Sequence, residues 1–489
     1  MTTVLRAGHL PGLDLQEVEW QVLRYAAHGR AVTVEVPTLT PAQMQALARH
    51  VARAAREVLQ RMTVDQVVDA IDRAVSRLLD TADPVRRQLD ELLPVVTGYD
   101  AEMVRLALTA YLQTFRAPQL RRFVAQDFPN PKVLDGFQPA LKGGSVRAYG
   151  PRVLAHVWAG NVPGLPLWSL ACGLLVKAGN VGKLPSAEPV FATLFARLLA
   201  EVHPPLADCL AVVWWKGGEA GPDQVLYAES EVVLAYGGNT ALREVRERVP
   251  VTTRFLGYGH KLGLALVARA ALDRQRGPAA ARLAALDIAR YEQQGCYSPH
   301  AVYVERGGTL APREFAQHLA AELANLEHRH PRRALSLAES ADAAGWRQAA
   351  EWRALAGPGC ELLGKEGGPW AIAYSDTPQP FAPSAGHRCV QVSAVDSLDA
   401  VLPLVSPHAA VLQTVGVATD PAGLYRLAER LGEAGVTRVA PLGAMTQPEA
   451  GWHHDGRCNL ADLVRFVEIE GAAEQAADRL AMYAQEGRP

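Results

Sequence analysis

Between Val153 and Val176 the chain runs for 24 residues without an Asp, Glu, Lys or Arg. A stretch that long and uncharged must be withdrawn from water, and it is long enough to span a bilayer. Gly160, Pro163, Gly164, Pro166 and Gly173 interrupt it, and a lipid-exposed helix broken that often would leave backbone groups unpaired. The segment therefore reads as a buried strand, a turn and a buried helix, and no transmembrane segment is expected.

The surrounding texture agrees. Arg152–Trp158, Leu210–Trp215 and Glu231–Tyr236 read as buried strands, and Glu188–Val202 and Ala241–Val249 as helices between or after them. That alternation is the signature of a parallel α/β sheet. A second alternating stretch runs from Gly263 to about Val439, with strands expected at Ala301–Glu305, Val390–Ala394 and Ala410–Gln413. The first 120 residues or so read as a helical region. In Pro41–Met62 the apolar residues Leu47, Val51, Ala54 and Val58 share one helical face, with Thr40 as N-cap and Pro41 at N1. Val64–Leu79 and Ala101–Phe115 repeat the pattern.

A length of 489 residues suits two or three domains. With 49 basic and 51 acidic residues, the chain has no positive excess for nucleic acid or an anionic membrane, so a small-molecule partner is expected. Cys172, Cys209, Cys296, Cys360, Cys389 and Cys458 contain no C-x-x-C pair, which argues for reduced thiols rather than a zinc ribbon or disulfide scaffold. Residues 1–30 carry Asp14, Glu17 and Glu19 and no long apolar run, so a cytoplasmic protein is expected. Of the 49 basic residues only seven are lysine, and two of these, Lys183 and Lys261, fall in the motifs below.

Four local sequences carry chemistry. In Arg290-Tyr-Glu-Gln-Gln-Gly-Cys-Tyr-Ser-Pro-His300, Cys296 follows a predicted helix (Leu283–Tyr291) and a glycine, so its thiol can sit on a turn open to substrate. In His156-Val-Trp-Ala-Gly-Asn-Val-Pro163, a strand runs into a turn at Asn161, whose amide can donate to an oxyanion. The run Val176–Pro189 delivers Lys183 to the C-terminal edge of a strand, where open α/β sheets bind dinucleotides. In Val232–Arg243, a strand leads through Gly237-Gly238 to a helix capped by Asn239 or Thr240, whose free N–H groups favour a pyrophosphate. The usual G-x-G-x-x-G fingerprint is absent.

The order Asn161, Lys183, Gly237-Gly238, Gly259-His-Lys261, Cys296 resembles the aldehyde dehydrogenase superfamily. Within it the chain is most similar to the long-chain acyl-CoA reductase family, the fatty acid reductase of bacterial bioluminescence systems. The resemblance implies an α/β, aldehyde dehydrogenase-like fold: a helical N-terminal region with a Rossmann-type dinucleotide domain (1–262), an α/β catalytic domain (263–445) and a C-terminal segment (446–489) that can serve oligomerisation. It implies NADPH-dependent reduction of a long-chain acyl-CoA or acyl carrier protein thioester to the aldehyde, through an acyl-enzyme on Cys296. Asn161 would hold the oxyanion, and Lys183 would contact the adenosine ribose or its 2′-phosphate. Gly237, Gly238 and Asn239 would pass close to the pyrophosphate. A homo-oligomer is implied as well.

The departures sharpen this. Oxidising relatives carry a Glu general base in a Glu-Leu-Gly-Gly-Lys run, whereas the stretch here, Phe255-Leu-Gly-Tyr-Gly-His-Lys261, has no carboxylate. An acyl-enzyme should then outlast water and be reduced or transferred. Ser186 stands where oxidising relatives place an acid near the ribose, which favours NADPH over NADH. The Glu that usually grips the nicotinamide ribose is missing near 384–390. His300, four residues past Cys296, could tune the thiol or shuttle a proton, or could serve as a structural hydrogen-bonder. In His453-His454-Asp455 the adjacent histidines of an extended segment point opposite ways, so no metal is expected. Two other readings stay open: an acylating or oxidising aldehyde dehydrogenase, and a Cys acyltransferase or thioesterase without redox chemistry.

Overall fold

The computed structural model describes residues 3–218 and 221–481. The uncharged stretch is strand Val153–Val157, a turn, and helix Pro166–Leu175, in which all ten residues are buried. Its imidazole, His156, is fully buried beside Asn180 (Nε2 to Oδ1, 3.0 Å), and burial lowers its pKa to about 4. The helix lies so close to the sheet that a Cβ on Gly173 would stand 1.8 Å from Asn180 Oδ1. Among the described residues, no helix is long and apolar enough to cross a membrane.

Strand Val153–Val157 is the centre of a five-stranded parallel sheet. The chain steps outward on one side through Gly179–Lys183 to Leu210–Val213, then returns to the other side as Val232–Tyr236 and Arg254–Tyr258. The direction of winding therefore reverses between Val153–Val157 and Val232–Tyr236. In open α/β sheets such a reversal leaves a crevice beyond the carboxyl ends of the two strands, where ligands bind.

At Leu262 the chain enters a second, seven-stranded sheet, in the order Cys360–Leu363, Ala371–Ser375, Cys389–Val395, Pro299–Glu305, Leu262–Val267, Leu412–Ala418, Arg438–Pro441. All neighbours are parallel except the antiparallel edge pair Cys360–Leu363 and Ala371–Ser375. Buried apolar side chains cover both faces: Ile288, Phe315 and Leu319 on one, Leu398, Val401 and Leu427 on the other. The C-terminal strand Arg465–Ile469 returns to pair antiparallel with Ser145–Tyr149, tying the end of the chain to its first half.

The N-terminal region departs from the sequence reading. It is helical only from Pro41 onward, in five helices between Pro41 and Asp127. Ahead of them stands a three-stranded sheet of Thr3–Arg6, Arg30–Thr38 and Glu19–Ala27. The hairpin turns at His28-Gly29, with φ of 53° and 69°, the left-handed pair that matches the strand twist. The alternation Val32-Thr-Val34-Glu-Val36 puts three valines in the core, a period-two signal that the helical reading passed over. Thr40 caps the first helix as expected, and Gln43 completes the capping box.

Candidate active site

A cavity of about 580 Å³ opens where the carboxyl ends of the first sheet face the second sheet. It collects Asn161, Gly237, Gly238, Cys296 and His300 from the sequence-derived candidates. Lys183, Ser186 and Asn239 do not line it.

Asn161 follows strand Val153–Val157 and Gly237-Gly238 follow strand Val232–Tyr236, so these two loops flank the reversal point. The Asn161 amide is anchored: Nδ2 donates to the Gln294 carbonyl at 2.6 Å, two residues before the thiol. One amide hydrogen is thereby occupied and the other remains for a ligand. The Tyr99 hydroxyl donates to the Asn161 carbonyl at 2.9 Å and lies 3.4 Å from the Tyr291 carbonyl, so one phenol spans the amide loop and the thiol loop.

Cys296 is half-buried at the amino end of strand Pro299–Glu305. Desolvation pushes its pKa up to about 11; the Asp455 charge adds to the rise, while a hydrogen bond from Gln413 and the charge of Arg438 oppose it. The loop that presents it is strained. Tyr291, Glu292 and Gln293 are consecutive left-handed residues, with φ of 52°, 53° and 59°. For residues with a Cβ this costs about 1–2 kcal/mol each.

Long-range contacts hold that strain in place. Arg388, itself left-handed at φ 66°, meets Glu292 through two 3.0 Å hydrogen bonds (Nε to Oε2, Nη2 to Oε1) in a fully buried fork. It also donates to Glu327 and to the His330 carbonyl, both at 2.8 Å. The Gln293 amide donates to the Pro299 and Cys389 carbonyls, and the His387 N–H to the Glu292 carbonyl. Segment 386–389 thus clamps the thiol loop. Spacing could not reveal this pair, since 96 residues separate its members.

His300 is buried, and its Nδ1 accepts the Ser384 N–H at 3.2 Å with the Ser384 hydroxyl 3.0 Å away. Burial lowers its pKa to about 4, so the ring is neutral, and the bond to Nδ1 puts its hydrogen on Nε2. It is a hydrogen-bond donor at neutral pH.

The opposite wall is aromatic. His454 stacks on Tyr258 (centroids 4.4 Å apart) and packs against Trp452 (4.8 Å) and Tyr236 (6.1 Å), with Trp168 and Tyr111 beyond. The sequence reading noticed His454 but not this wall, whose members come from five separate segments. No carboxylate of Phe255–Lys261 reaches the cavity. Its carboxylates are Glu339 and Asp342, on helix Leu337–Ala356. Glu339 is committed to Arg333 and to capping its own helix at Ser336, which holds its pKa down at about 2.

Helix Asn239–Arg248 is capped by Gly238, ahead of the Asn239 or Thr240 expected, and no side chain caps it. Lys183 ends its strand with the ammonium 5.6 Å from the Trp215 ring centroid, and desolvation lowers its pKa. Nearby, Ser186 is exposed; its hydroxyl accepts from Trp214 Nε1 (3.2 Å) and its carbonyl from the Tyr25 hydroxyl (2.6 Å). Glu188 is buried and capping: one oxygen accepts from the Val190 and Phe191 N–H groups, both at 2.8 Å, and burial raises its pKa to about 7.

The chain is 27% identical over 419 residues to a long-chain acyl-protein thioester reductase of Aliivibrio fischeri, covering 84% of this chain and 83% of the relative. It is 24% identical over 448 residues to long-chain acyl-protein thioester reductase 2 of Photobacterium leiognathi, covering 89% and 87%. In structure it resembles aldehyde dehydrogenase 21 of Physcomitrella patens, with a TM-score of 0.72, 12% identity and coverage of 96% of this chain and 99% of that one. An aldehyde dehydrogenase of Brucella melitensis gives a TM-score of 0.71 at 15% identity, covering 95% and 96%. Those likenesses establish the aldehyde dehydrogenase fold. Residues 59–466 match the model of the family described as acyl-CoA reductase (LuxC), so the chain belongs to that family of reductases.

Proposed function

We propose that the protein reduces a long-chain fatty acyl thioester, on CoA or on a carrier protein, to the aldehyde with NADPH. The observation that carries this reading is the conjunction, in one cavity, of the Cys296 thiol, the anchored Asn161 amide and the bare Gly237-Gly238 turn. The names of the curated relatives support an acyl group delivered as a protein thioester.

The residues fit the cofactor. A Cβ on Gly238 would meet nothing within 4 Å and one on Gly237 only Ala241, and the first-turn N–H groups of helix Asn239–Arg248 have no side-chain cap. An anionic diphosphate suits such a turn. Lys183 beside Trp215, with the neutral Ser186 nearby and Glu188 turned inward as a cap, suits an adenosine ribose carrying a 2′-phosphate. When bound, NADPH supplies the hydride.

The protein's own part is acyl transfer. The Cys296 thiolate adds to the thioester carbonyl, the first thiolate leaves, and the acyl group is carried as a thioester on Cys296. Asn161 Nδ2 donates its remaining hydrogen to the carbonyl oxygen as that oxygen gains charge. The aromatic wall of Tyr111, Trp168 and Trp452 takes the hydrocarbon chain. Glu339 is tied to Arg333, and the Phe255–Lys261 run offers no carboxylate, so the base that oxidising relatives use to hydrolyse the acyl-enzyme has no counterpart there. A homo-oligomeric, cytoplasmic enzyme fits this reading.

The test mixes protein, NADPH and acyl-CoA of several chain lengths and follows NADPH absorbance together with free thiol. Both should change one for one, and Cys296→Ala should abolish both. Thiol release without NADPH consumption would favour the thioesterase or acyltransferase alternative, and fast acid formation from aldehyde and NAD would favour an oxidising dehydrogenase.

A further inference from the structure

Away from the thiol, three metal-binding side chains converge: Asp127, His453 and Cys458, with one ligand atom from each lying within 4.8 Å of the others. Asp127 ends helix Ala117–Asp127, and the other two lie on the segment that follows the second sheet. The Asp127 side chain is fully buried. Its Oδ2 accepts the Leu460 and Ala461 N–H groups at 2.6 and 3.1 Å, whereas Oδ1 is buried with no hydrogen-bond partner. A carboxylate oxygen withdrawn from water and left unpaired is costly. His453 Nε2 lies 4.0 Å from it, beyond hydrogen-bond reach but close to the spacing of two ligands on one ion.

We propose that Asp127, His453 and Cys458 bind a zinc-like divalent transition-metal ion. One thiolate, one imidazole and one carboxylate form a mixed S/N/O set typical of Zn²⁺ and unsuited to Mg²⁺ or Ca²⁺. Closing on an ion brings the three atoms inward by a fraction of an ångström to about 1 Å, and the cation satisfies Asp127 Oδ1. His453 is 41% exposed, so a water can take the fourth position from the solvent side. His454 opens a 3-10 turn (His454–Gly456) rather than continuing an extended segment, and it stacks in the aromatic wall; the partners of His453 come instead from Asp127 and Cys458. The site would tie the end of helix Ala117–Asp127 to the segment carrying Trp452 and His454, and so fix the aromatic wall of the cavity without touching the reacting atoms. Nothing in this inference depends on which reaction Cys296 performs.

The test uses the full-length reduced protein, stripped with a chelator and titrated with Co²⁺ alone. Binding of one equivalent with a near-ultraviolet thiolate-to-cobalt band, displaced by Zn²⁺, is expected. Cys458→Ser should remove the band, Cys296→Ser should leave it, and His453→Gln should weaken affinity by at least the roughly 10–100-fold that outer-shell changes cost elsewhere. A measurement that needs no variant runs alongside: Zn²⁺ should slow alkylation of Cys458, mapped by mass spectrometry, and leave Cys360 unaffected. Absence of the band, its persistence in Cys458→Ser, or equal alkylation of Cys458 with and without Zn²⁺ would each overturn the proposal.

Discussion

At the Gly237 end of the cavity the Gly237-Gly238 turn follows directly from the carboxyl end of strand Val232–Tyr236 and opens a helix with no side-chain cap. At the Cys296 end the backbone runs through three consecutive left-handed residues and stays there because Arg388, the Cys389 carbonyl and Tyr99 hold it from distant segments. The first end is local and unstrained. The second is a long-range construction that stores strain beside its nucleophile, as functional sites often do. The two ends should therefore respond differently to substitution.

The largest expected effect is at the clamp. Arg388→Met removes the cation from Glu292, leaving a buried carboxylate without its partner, and such a loss costs roughly 3–5 kcal/mol. Thermal unfolding should show it as a large drop in Tm. Arg388→Lys keeps the charge but loses the fork, and should recover part of the stability and less of the acylation rate. If Arg388→Met unfolds like the wild type, the thiol loop is not clamped as argued and the contrast between the two ends fails.

That contrast also explains how far the sequence could be read. The alternation of strand and helix follows from local burial patterns, so the strands at Val153, Val232 and Pro299 were legible within a residue or two, and Thr40-Pro41 announced its helix. The hairpin at His28 was legible too, in Val32, Val34 and Val36, but a helical reading of the region hid it. Asn161 and Gly237-Gly238 could be found because each closes a strand. The Glu292–Arg388 fork, the Tyr99 bridge and the aromatic stack of Tyr258, His454 and Trp452 could not. They join residues whose proximity depends on the packing of whole elements, and no spacing rule carries that information. The single sequence hint was negative: the absence of the usual ribose-binding Glu near 384–390, in a segment that the structure uses as a clamp.

Next in size is Asn161→Ala. Loss of one donor to a developing oxyanion costs about 10²–10³ in kcat, or roughly 3–4 kcal/mol. Because Nδ2 also anchors to the Gln294 carbonyl, this variant sharpens the comparison: single-turnover acylation of Cys296 should fall by that factor while the NADPH dissociation constant stays within about twofold of wild type. A matching loss in NADPH affinity would mean that the two ends are not separable.

The thiol's own ionisation gives a smaller, graded effect. With its pKa raised to about 11 by burial, Cys296 is protonated at neutral pH, and the reactive thiolate grows as pH rises toward that value. Alkylation of Cys296 in the free enzyme should accelerate about tenfold per pH unit between pH 7 and 9, each factor being about 1.4 kcal/mol. Gln413→Leu removes a hydrogen bond that favours the thiolate and should slow alkylation throughout that range. A plateau near pH 7 would show an activating group that outweighs desolvation.

The smallest expected change in stability lies at the other end. Gly238 has ordinary φ (−67°), caps its helix without a side chain, and faces open space where a Cβ would go. Gly238→Ala should therefore leave Tm nearly unchanged, within the roughly 0.5 kcal/mol of a typical surface substitution. The added methyl nonetheless occupies space that a diphosphate would need, so NADPH binding, followed by its fluorescence, should weaken while alkylation of Cys296 keeps its wild-type rate. Paired with Arg388→Met, this variant separates the two constructions: one position carries stability and thiol geometry, the other carries ligand space alone. A Gly238→Ala enzyme that binds NADPH as tightly as wild type would move the cofactor away from this turn and leave the switch point of the first sheet to be explained by something else.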